Sequence, residues 1–200
     1  MSAPSDVSTA APVVVKIVIS GGFGVGKTTF VSAISEIEPL LTEADLTEVS
    51  IGVDDTRAVG GKTTTTVALD FGRIHLDASL MLYLFGTPGQ DRFSFLWDDL
   101  VDGALGAVVL VDTRRIQDSY PAVDYFEDLG VPFLLAVNPF DGAPRFALAE
   151  VRDALGVGPE VPIAECDARA RGSVKDALVL LMEQVLRRRM RALAAGAPRE

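Results

Sequence analysis

The segment from residue 21 to residue 28 reads GGFGVGKT, which has the composition and spacing of a phosphate-binding loop. Glycines allow successive backbone N–H groups to turn toward one phosphate, and the helix that follows adds the positive end of its dipole. Lys27 would reach the β and γ phosphates of a nucleotide, and the Thr28 hydroxyl is a ligand for Mg²⁺. The other predicted binding residues of this loop are Gly21, Gly24, Val25, Gly26 and Thr29. The segment therefore predicts a site for the polyphosphate of a nucleotide.

Two later segments resemble the base-reading elements N-K-x-D and S-A-K of Ras-like GTPases. Residues 138–141 read NPFD and residues 166–169 read CDAR, and each segment follows a predicted strand. The Asp141 carboxylate can accept two hydrogen bonds from guanine N1–H and N2–H₂, whereas adenine offers no such donor pair. The resemblance implies that the Ala168 N–H faces guanine O6 and that Asn138 connects the base loop to the phosphate loop. An ordinary capped turn is the alternative interpretation of residues 138–141.

The NPFD segment departs from the Ras-like pattern at its second position. Pro139 stands where relatives have a lysine whose aliphatic stem covers the base. We expect either weaker base affinity or stacking of Arg169 in its place. Guanine is therefore favoured as the base, and an ATP-binding protein is the alternative.

Residues 85–91 read FGTPGQD and resemble the D-T-A-G-Q switch element of the same superfamily. The resemblance implies that the Gly89 N–H binds the γ phosphate and that Gln90 orients the attacking water. Gly86 occupies the position where most relatives carry the Walker B aspartate. The ligands of Mg²⁺ would then be Thr28, the phosphates, water and a switch threonine. A simple Pro-Gly turn is the alternative interpretation.

A run of four threonines, residues 63–66, is the candidate for that switch threonine. In Rab-like relatives the switch threonine stands five places before a phenylalanine that matches Phe71, which selects Thr66. Its hydroxyl would bind Mg²⁺ and its N–H the γ phosphate. The predicted catalytic set is Gln90, Lys27 and Thr66, and the predicted metal ligands are Thr28 and Thr66. The alternative is that this β-branched run only suits an edge strand.

The chain from about residue 14 to residue 193 resembles the actinobacterial conservon-encoded small GTPases, which are related to the MglA gliding-motility GTPases. The stretches that carry the resemblance are 21–28, 63–72, 84–98, 107–115 and 138–142. MglA-like proteins also lack the Walker B acid. The resemblance implies a Roadblock/LC7-type regulatory protein and a sensor-kinase-like membrane protein as partners.

The elements that would position these residues alternate along the chain. Short apolar runs predict strands at 13–19, 80–85, 105–111, 133–137 and 162–166, and residues 67–76 predict a strand that forms an antiparallel hairpin with 80–85 at a sheet edge. Helical patterns cover residues 28–37, 119–129, 145–155 and 173–194. Residues 37–67 show no clear periodicity and predict a long acidic loop. The pattern predicts a P-loop NTPase of α/β class, a Ras-like three-layer fold with a mostly parallel sheet, an antiparallel edge strand and helices on both faces.

Composition narrows the range of partners and metals. The 200 residues include 18 Lys and Arg against 28 Asp and Glu, so the net charge of −10 disfavours nucleic acid. The chain has one cysteine and one histidine, which leaves no disulfide and no zinc cluster. No apolar segment reaches the roughly 18 residues of a membrane span. We expect a cytoplasmic protein with a G domain at 13–194 between short tails at 1–12 and 195–200. Partners would recruit it to the membrane.

Taken together, the motifs predict a Ras-like switch protein that binds GTP or GDP with Mg²⁺ and hydrolyses GTP slowly. Hydrolysis is slow when no arginine compensates the developing charge, and Arg57 and Arg92 are the candidates within the chain. Two alternatives stay open. One is a nucleotide-binding scaffold without turnover, and the other is an ATPase or small-molecule kinase.

Overall fold

Short apolar runs form the centre of a seven-stranded sheet in the computed structural model, which describes residues 11–38, 40–47, 64–89 and 91–196. The strands are β1 (Val13–Ser20), β2 (Leu40–Thr47), β3 (Thr64–His75), β4 (Leu80–Gly86), β5 (Gly106–Val111), β6 (Phe133–Val137) and β7 (Ile163–Glu165). Their order across the sheet is β2-β3-β4-β1-β5-β6-β7. The five strands from β4 to β7 in that order run parallel, and β3 is antiparallel to both β2 and β4.

Helices cover both faces of the sheet. They are α1 (Lys27–Ile34), α2 (Trp97–Val101), α3 (Tyr120–Asp128), α4 (Leu148–Leu155) and α5 (Arg171–Gly196), with 3₁₀ segments at Asp91–Leu96 and Thr113–Ser119. Side chains alternate across a strand, so Ile17 and Ile19 of β1 join the core under α1 and α5, while Val18 joins the core under α2, α3 and α4. The central strands are therefore apolar on both faces, as the continuous runs predicted.

The hairpin between β3 and β4 has a defined register. The Asp77 carboxylate accepts a hydrogen bond from the Ser79 N–H at 2.6 Å, which stabilises the turn. Phe71 pairs with Phe85. This register brings Asp70 beside Gly86 at the end of the hairpin that lies nearest the phosphate loop.

The predicted fold class is confirmed, one local prediction is wrong, and one helical segment was missed. Residues 37–67 were expected to form a loop, but residues 40–47 form β2, which is the edge strand in place of 67–76. Residues 91–101, for which no helix was predicted, form the 3₁₀ segment and α2. The sequence of β2 does not show its strand character, because acidic residues interrupt its apolar pattern. Its pairing partners also lie on a later segment, from Thr64 to Phe71. The predicted tail at 1–12 lies almost wholly outside the described residues, and α5 continues to Gly196, two residues past the predicted boundary.

Within the described ranges, no helix is both long and apolar enough to cross a membrane. The parallel strands all point their carboxyl ends toward one edge of the sheet. Loops that follow β1, β4, β6 and β7 meet at this edge, where ligands bind in open α/β sheets.

Candidate functional site

The phosphate loop connects β1 to α1 in a tightly packed turn. Gly26 has a φ of +105°, and a Cβ built on it would lie only 2.8 Å from the Asn138 amide nitrogen. Gly21 likewise approaches the Leu110 carbonyl so closely that a side chain would collide with it. Both positions require glycine, which explains the glycine spacing of the motif. The turn is therefore free of side chains at the start of α1 at these two positions, as a phosphate site requires.

Lys27 lies inside this turn and is almost fully buried. Its ammonium donates hydrogen bonds to the carbonyls of Gly21 at 2.8 Å and Gly22 at 2.7 Å. Burial lowers the pKa of Lys27 to about 8, and the neighbouring Asp70 carboxylate acts in the opposite direction. The structure thus brings Lys27 to the position where a polyphosphate would replace these carbonyl contacts.

Asp70 is the acid nearest to the predicted metal ligand Thr28. The Thr28 hydroxyl donates to the Asp70 carboxylate at 2.8 Å, and Asp70 is 9% exposed. A Cβ added to Gly86 would lie 2.9 Å from both the Cβ and Oδ2 of Asp70. Glycine at position 86 therefore leaves room for a carboxylate that arrives from the neighbouring strand β3.

The turn after β4 faces the phosphate loop. Thr87 donates its N–H to the Ile19 carbonyl and its hydroxyl to Ser20 Oγ at 3.0 Å, which fixes this turn against β1. A Cβ on Gly89 would lie 2.6 Å from Lys27 Nζ, so Gly89 lies directly over the lysine. Buried Trp97 donates its indole N–H to the Pro88 carbonyl at 3.4 Å. The predicted γ-phosphate turn is thus attached to the core at both ends.

Asn138, in the loop after β6, connects this loop to the phosphate loop and to the loop after β7. Its side-chain nitrogen donates to the Val25 carbonyl at 2.9 Å, and its side-chain oxygen accepts the Ala168 N–H at 3.1 Å. Asn138 is 6% exposed and follows directly after β6. The amide therefore holds the phosphate loop and the loop after β7 in one arrangement.

Asp141 and Arg169 lie at the outer end of this arrangement. Arg169 donates to the Asp141 carboxylate at 3.3 Å and to Asp167 at 2.9 Å. The Asp141 side chain is 91% exposed, so its carboxylate remains available to a ligand. The pKa of Asp167 is lowered by its hydrogen bonds from Arg169.

Two cavities adjoin the phosphate loop. The base-side cavity, about 360 Å³, lies between Gly24, Gly26 and Thr29 on one side and Asp141 and Ala168 on the other. The phosphate-side cavity, about 400 Å³, lies between the loop and the polar residues Asp70, Thr87 and Gly89. Gly24, Gly26 and Thr29 border both cavities, so one nucleotide could extend from one into the other around the loop.

Of the remaining predicted residues, two and the side chain of a third lie outside what the structure describes, and Thr66 lies apart from Thr28. Gln90 and Arg57 lie outside the described residues, and the side chain of Arg92 does as well. Thr66 pairs with Asp45 in the β2–β3 ladder. Thr66 is four residues before Asp70 in a continuous strand, which separates their backbones by about 13 Å. The structure therefore brings Asp70 to Thr28 and leaves Thr66 farther along the strand.

Three residues near the site were missed by sequence reasoning: Asp70, Arg114 and Arg115. Arg115 donates to the Phe23 carbonyl at 2.9 Å and thereby holds the phosphate loop from outside. The signal for Asp70 was available, because it is an acid in an apolar strand whose hairpin partner lacks the expected aspartate. Within the described part of the chain, no group of three or more His, Cys, Asp or Glu residues could hold a metal alone.

Comparison with known proteins gives relatives of the same architecture. The chain superimposes on the FeoB G domain of Methanococcus jannaschii with a TM-score of 0.57 at 15% identity, which covers 85% of this chain and 98% of that one. The G domain of the T. maritima FeoB iron transporter gives a TM-score of 0.56 at 19% identity, covering 88% and 98%. At these identities the likeness shows the fold, which is that of a G-domain P-loop protein.

Two sequence comparisons extend this result. An uncharacterized protein of Methanocaldococcus jannaschii is 26% identical over 129 residues, which are 64% of this chain and 71% of that protein. The model of a family described as "Conserved hypothetical ATP binding protein" matches residues 19–188, well over half of the chain. With its phosphate loop and G-domain fold, the chain therefore belongs to this family of conserved hypothetical ATP-binding proteins.

Proposed function

We propose that the chain binds GTP together with Mg²⁺, hydrolyses it slowly to GDP, and acts as a nucleotide-dependent switch. The observation that carries the proposal is the Asn138 amide, which joins the phosphate loop at Val25 to the loop after β7 at Ala168. This contact aligns the phosphate-side cavity with a base-side cavity that ends at Asp141. The arrangement suits one ligand that has a polyphosphate at one end and a base at the other.

The base we propose is guanine, although the family description names ATP. The exposed Asp141 carboxylate accepts hydrogen bonds, and guanine offers N1–H and N2–H₂ side by side. Adenine would present its N1 lone pair to the carboxylate, which is repulsive. The Ala168 N–H is already bonded to Asn138, so contact with guanine O6 would require the N–H to be shared between two acceptors.

The Mg²⁺ ligands that we propose are the Thr28 hydroxyl and the Asp70 carboxylate. Both are oxygen ligands of the kind that Mg²⁺ prefers, and they lie 2.8 Å apart at the phosphate-side cavity. When bound, Mg²⁺ would neutralise charge on the β and γ phosphates. We also propose Thr66 as a further ligand of the metal. For Thr66 to reach the metal, the part of β3 that carries this residue would have to move.

Hydrolysis would use water as the nucleophile. Water attacks the γ phosphorus, the bond to the β–γ bridging oxygen breaks, and GDP leaves with the charge that Lys27 stabilises. In the proposal Gln90 orients the water, and the Gly89 N–H holds the γ phosphate. Turnover would be slow unless Arg57, Arg92 or a partner supplies positive charge, since an arginine accounts for about 10³–10⁵ in rate in related reactions.

The partner proposals follow from the resemblance to conservon-encoded GTPases. A Roadblock/LC7-type protein would regulate the nucleotide cycle, and a sensor-kinase-like membrane protein would recruit an otherwise cytoplasmic switch. Thermal shift of this chain with the purified Roadblock/LC7-type partner, in GDP and in a GTP analogue, tests whether binding depends on the nucleotide.

Competition for labelled GDP tests the base proposal, and single-turnover phosphate release tests hydrolysis. Unlabelled GTP should displace labelled GDP at far lower concentration than ATP, and equal displacement would replace guanine by an ATP-binding function. With protein in excess over GTP, phosphate should appear slowly but completely. Binding without phosphate release would leave a non-hydrolysing scaffold.

A further inference from the structure

Arg114 is an arginine of the base-side cavity that is held by a buried acid. Its Nε and Nη2 donate to the Asp112 carboxylate, the shortest contact being 2.7 Å. Asp112 follows directly after β5 and is 3% exposed. These hydrogen bonds lower the pKa of Asp112 despite its burial. The ion pair with this buried carboxylate keeps the guanidinium of the partly exposed Arg114 in one position.

Phe140 fixes the same guanidinium from a second direction. The Arg114 Cζ atom lies 3.8 Å from the centroid of the Phe140 ring, which is a close cation–π stack. Phe140 lies between Pro139 and Asp141 in the base loop. Arg114, Phe140 and Asp141 therefore border one cavity, and the stack joins the end of β5 to the base-reading segment.

The stack lies beside the position where the base loop lacks a long side chain. Pro139 cannot extend over a nucleoside as a lysine stem does. Arg169, the stacking residue expected from sequence, has its guanidinium engaged by the more exposed carboxylates of Asp167 and Asp141. Arg114 is better fixed than Arg169, because its acid partner is buried and its plane rests on a ring. A fixed group loses little freedom when a ligand packs against it.

We propose that Arg114 is a nucleoside-binding residue whose guanidinium, held by Asp112 and Phe140, packs against the ribose and base of the bound guanine nucleotide. The inference rests on the proposed function and adds a residue that contributes nucleoside affinity to the same site. Arg114 borders the base-side cavity and is absent from the lining of the phosphate-side cavity. Its contribution should therefore be the same for GDP and GTP and should not extend to a bare polyphosphate.

Calorimetry with GDP, GTP and magnesium pyrophosphate tests this on wild type, Arg114→Ala, Arg114→Lys and Phe140→Leu. Arg114→Ala should weaken GDP and GTP equally, by about tenfold, and leave pyrophosphate binding unchanged. Arg114→Lys keeps the charge and loses the plane, so it should stay at least about threefold weaker than wild type. Phe140→Leu removes the supporting ring and should weaken GDP by about threefold.

Arg145→Ala is the matched control, since this arginine is 79% exposed and lies outside the base-side cavity. Its GDP affinity should match that of wild type. Equal GDP affinity for Arg114→Ala and wild type would overturn the inference, as would full restoration by lysine or a parallel loss of pyrophosphate binding. If Arg114→Ala fails to fold because Asp112 is left unpaired, the lysine and Phe140→Leu variants decide in the same way. Failure of wild type to bind any guanine nucleotide would instead overturn the proposed function.

Discussion

The Thr28 hydroxyl and the Asp70 carboxylate lie 2.8 Å apart and join the first turn of α1 to β3. This pair places a carboxylate beside a predicted Mg²⁺ ligand although the strand end at Gly86 has none. The space for it exists because position 86 lacks a Cβ. An acid can therefore reach the phosphate-side cavity from a neighbouring strand when the usual strand lacks one.

Asp70→Asn should raise the Mg²⁺ concentration that half-maximally slows GDP release by about tenfold, because an amide oxygen attracts the cation less than a carboxylate does. A Mg²⁺ titration of labelled GDP release measures this. Gly86→Ala should act in the same direction, since its Cβ would displace Asp70. Asp99→Asn, on an exposed carboxylate of α2, is the control. A titration curve of Asp70→Asn that coincides with the control would remove Asp70 from the metal site.

Nucleotide affinity should fall as the pH rises past about 8. Burial lowers the pKa of Lys27 to about 8 in the free protein, and bound phosphates favour the charged ammonium. Binding above that pH must therefore take up a proton, which costs up to about tenfold in affinity per pH unit. GDP dissociation constants between about pH 7 and about pH 9 measure the effect. Lys27→Ala should bind far more weakly, with a flat profile, and a flat profile for wild type would contradict the assignment.

Asp141→Asn should weaken the affinity for guanine nucleotides by about 100-fold or more, since the amide presents a donor where guanine N2–H₂ also donates. Xanthine has a carbonyl in place of that amine and should bind the variant better than guanine does. Competition of GDP against xanthosine diphosphate measures the change in base preference, and xanthine binding itself shows that the variant is folded. Retained guanine preference would reject Asp141 as the base-reading residue.

Gln90→Leu should slow phosphate release in single turnover by at least about tenfold and leave GDP affinity unchanged. Leucine has a similar size but cannot orient a water molecule by hydrogen bonds. Gln117→Leu is the matched control, because this exposed glutamine of the 3₁₀ segment after β5 does not line the phosphate-side cavity. An unaltered hydrolysis rate in Gln90→Leu would exclude this residue from the mechanism.

The parts of the site that depend on local sequence were predictable. The glycines and Lys27 act within one loop, and residues 138–141 follow a strand whose run of apolar residues is unbroken. The β6 strand at 133–137 has the bounds expected from its sequence. A tie between Asn138 and the phosphate loop was expected only through the resemblance to Ras-like proteins, and the hydrogen bond from the Ala168 N–H to Asn138 was not expected.

Residues whose role depends on strand register were missed. The proximity of Asp70 to Thr28 requires the pairing of Phe71 with Phe85, which sequence periodicity alone does not define. Arg114 is held at the base-side cavity by an ion pair with buried Asp112 and by the Phe140 ring from another loop. Such contacts join distant segments and become visible only when the fold is known.

Trp97 is the single tryptophan of the chain, and its indole N–H is bonded to the carbonyl next to Gly89. In the proposed function the Gly89 N–H binds the γ phosphate, and a shift of the 88–89 peptide toward that phosphate would change this hydrogen bond. Intrinsic emission from Trp97 would then report, from the unmodified polypeptide and in real time, whether the third phosphate is present.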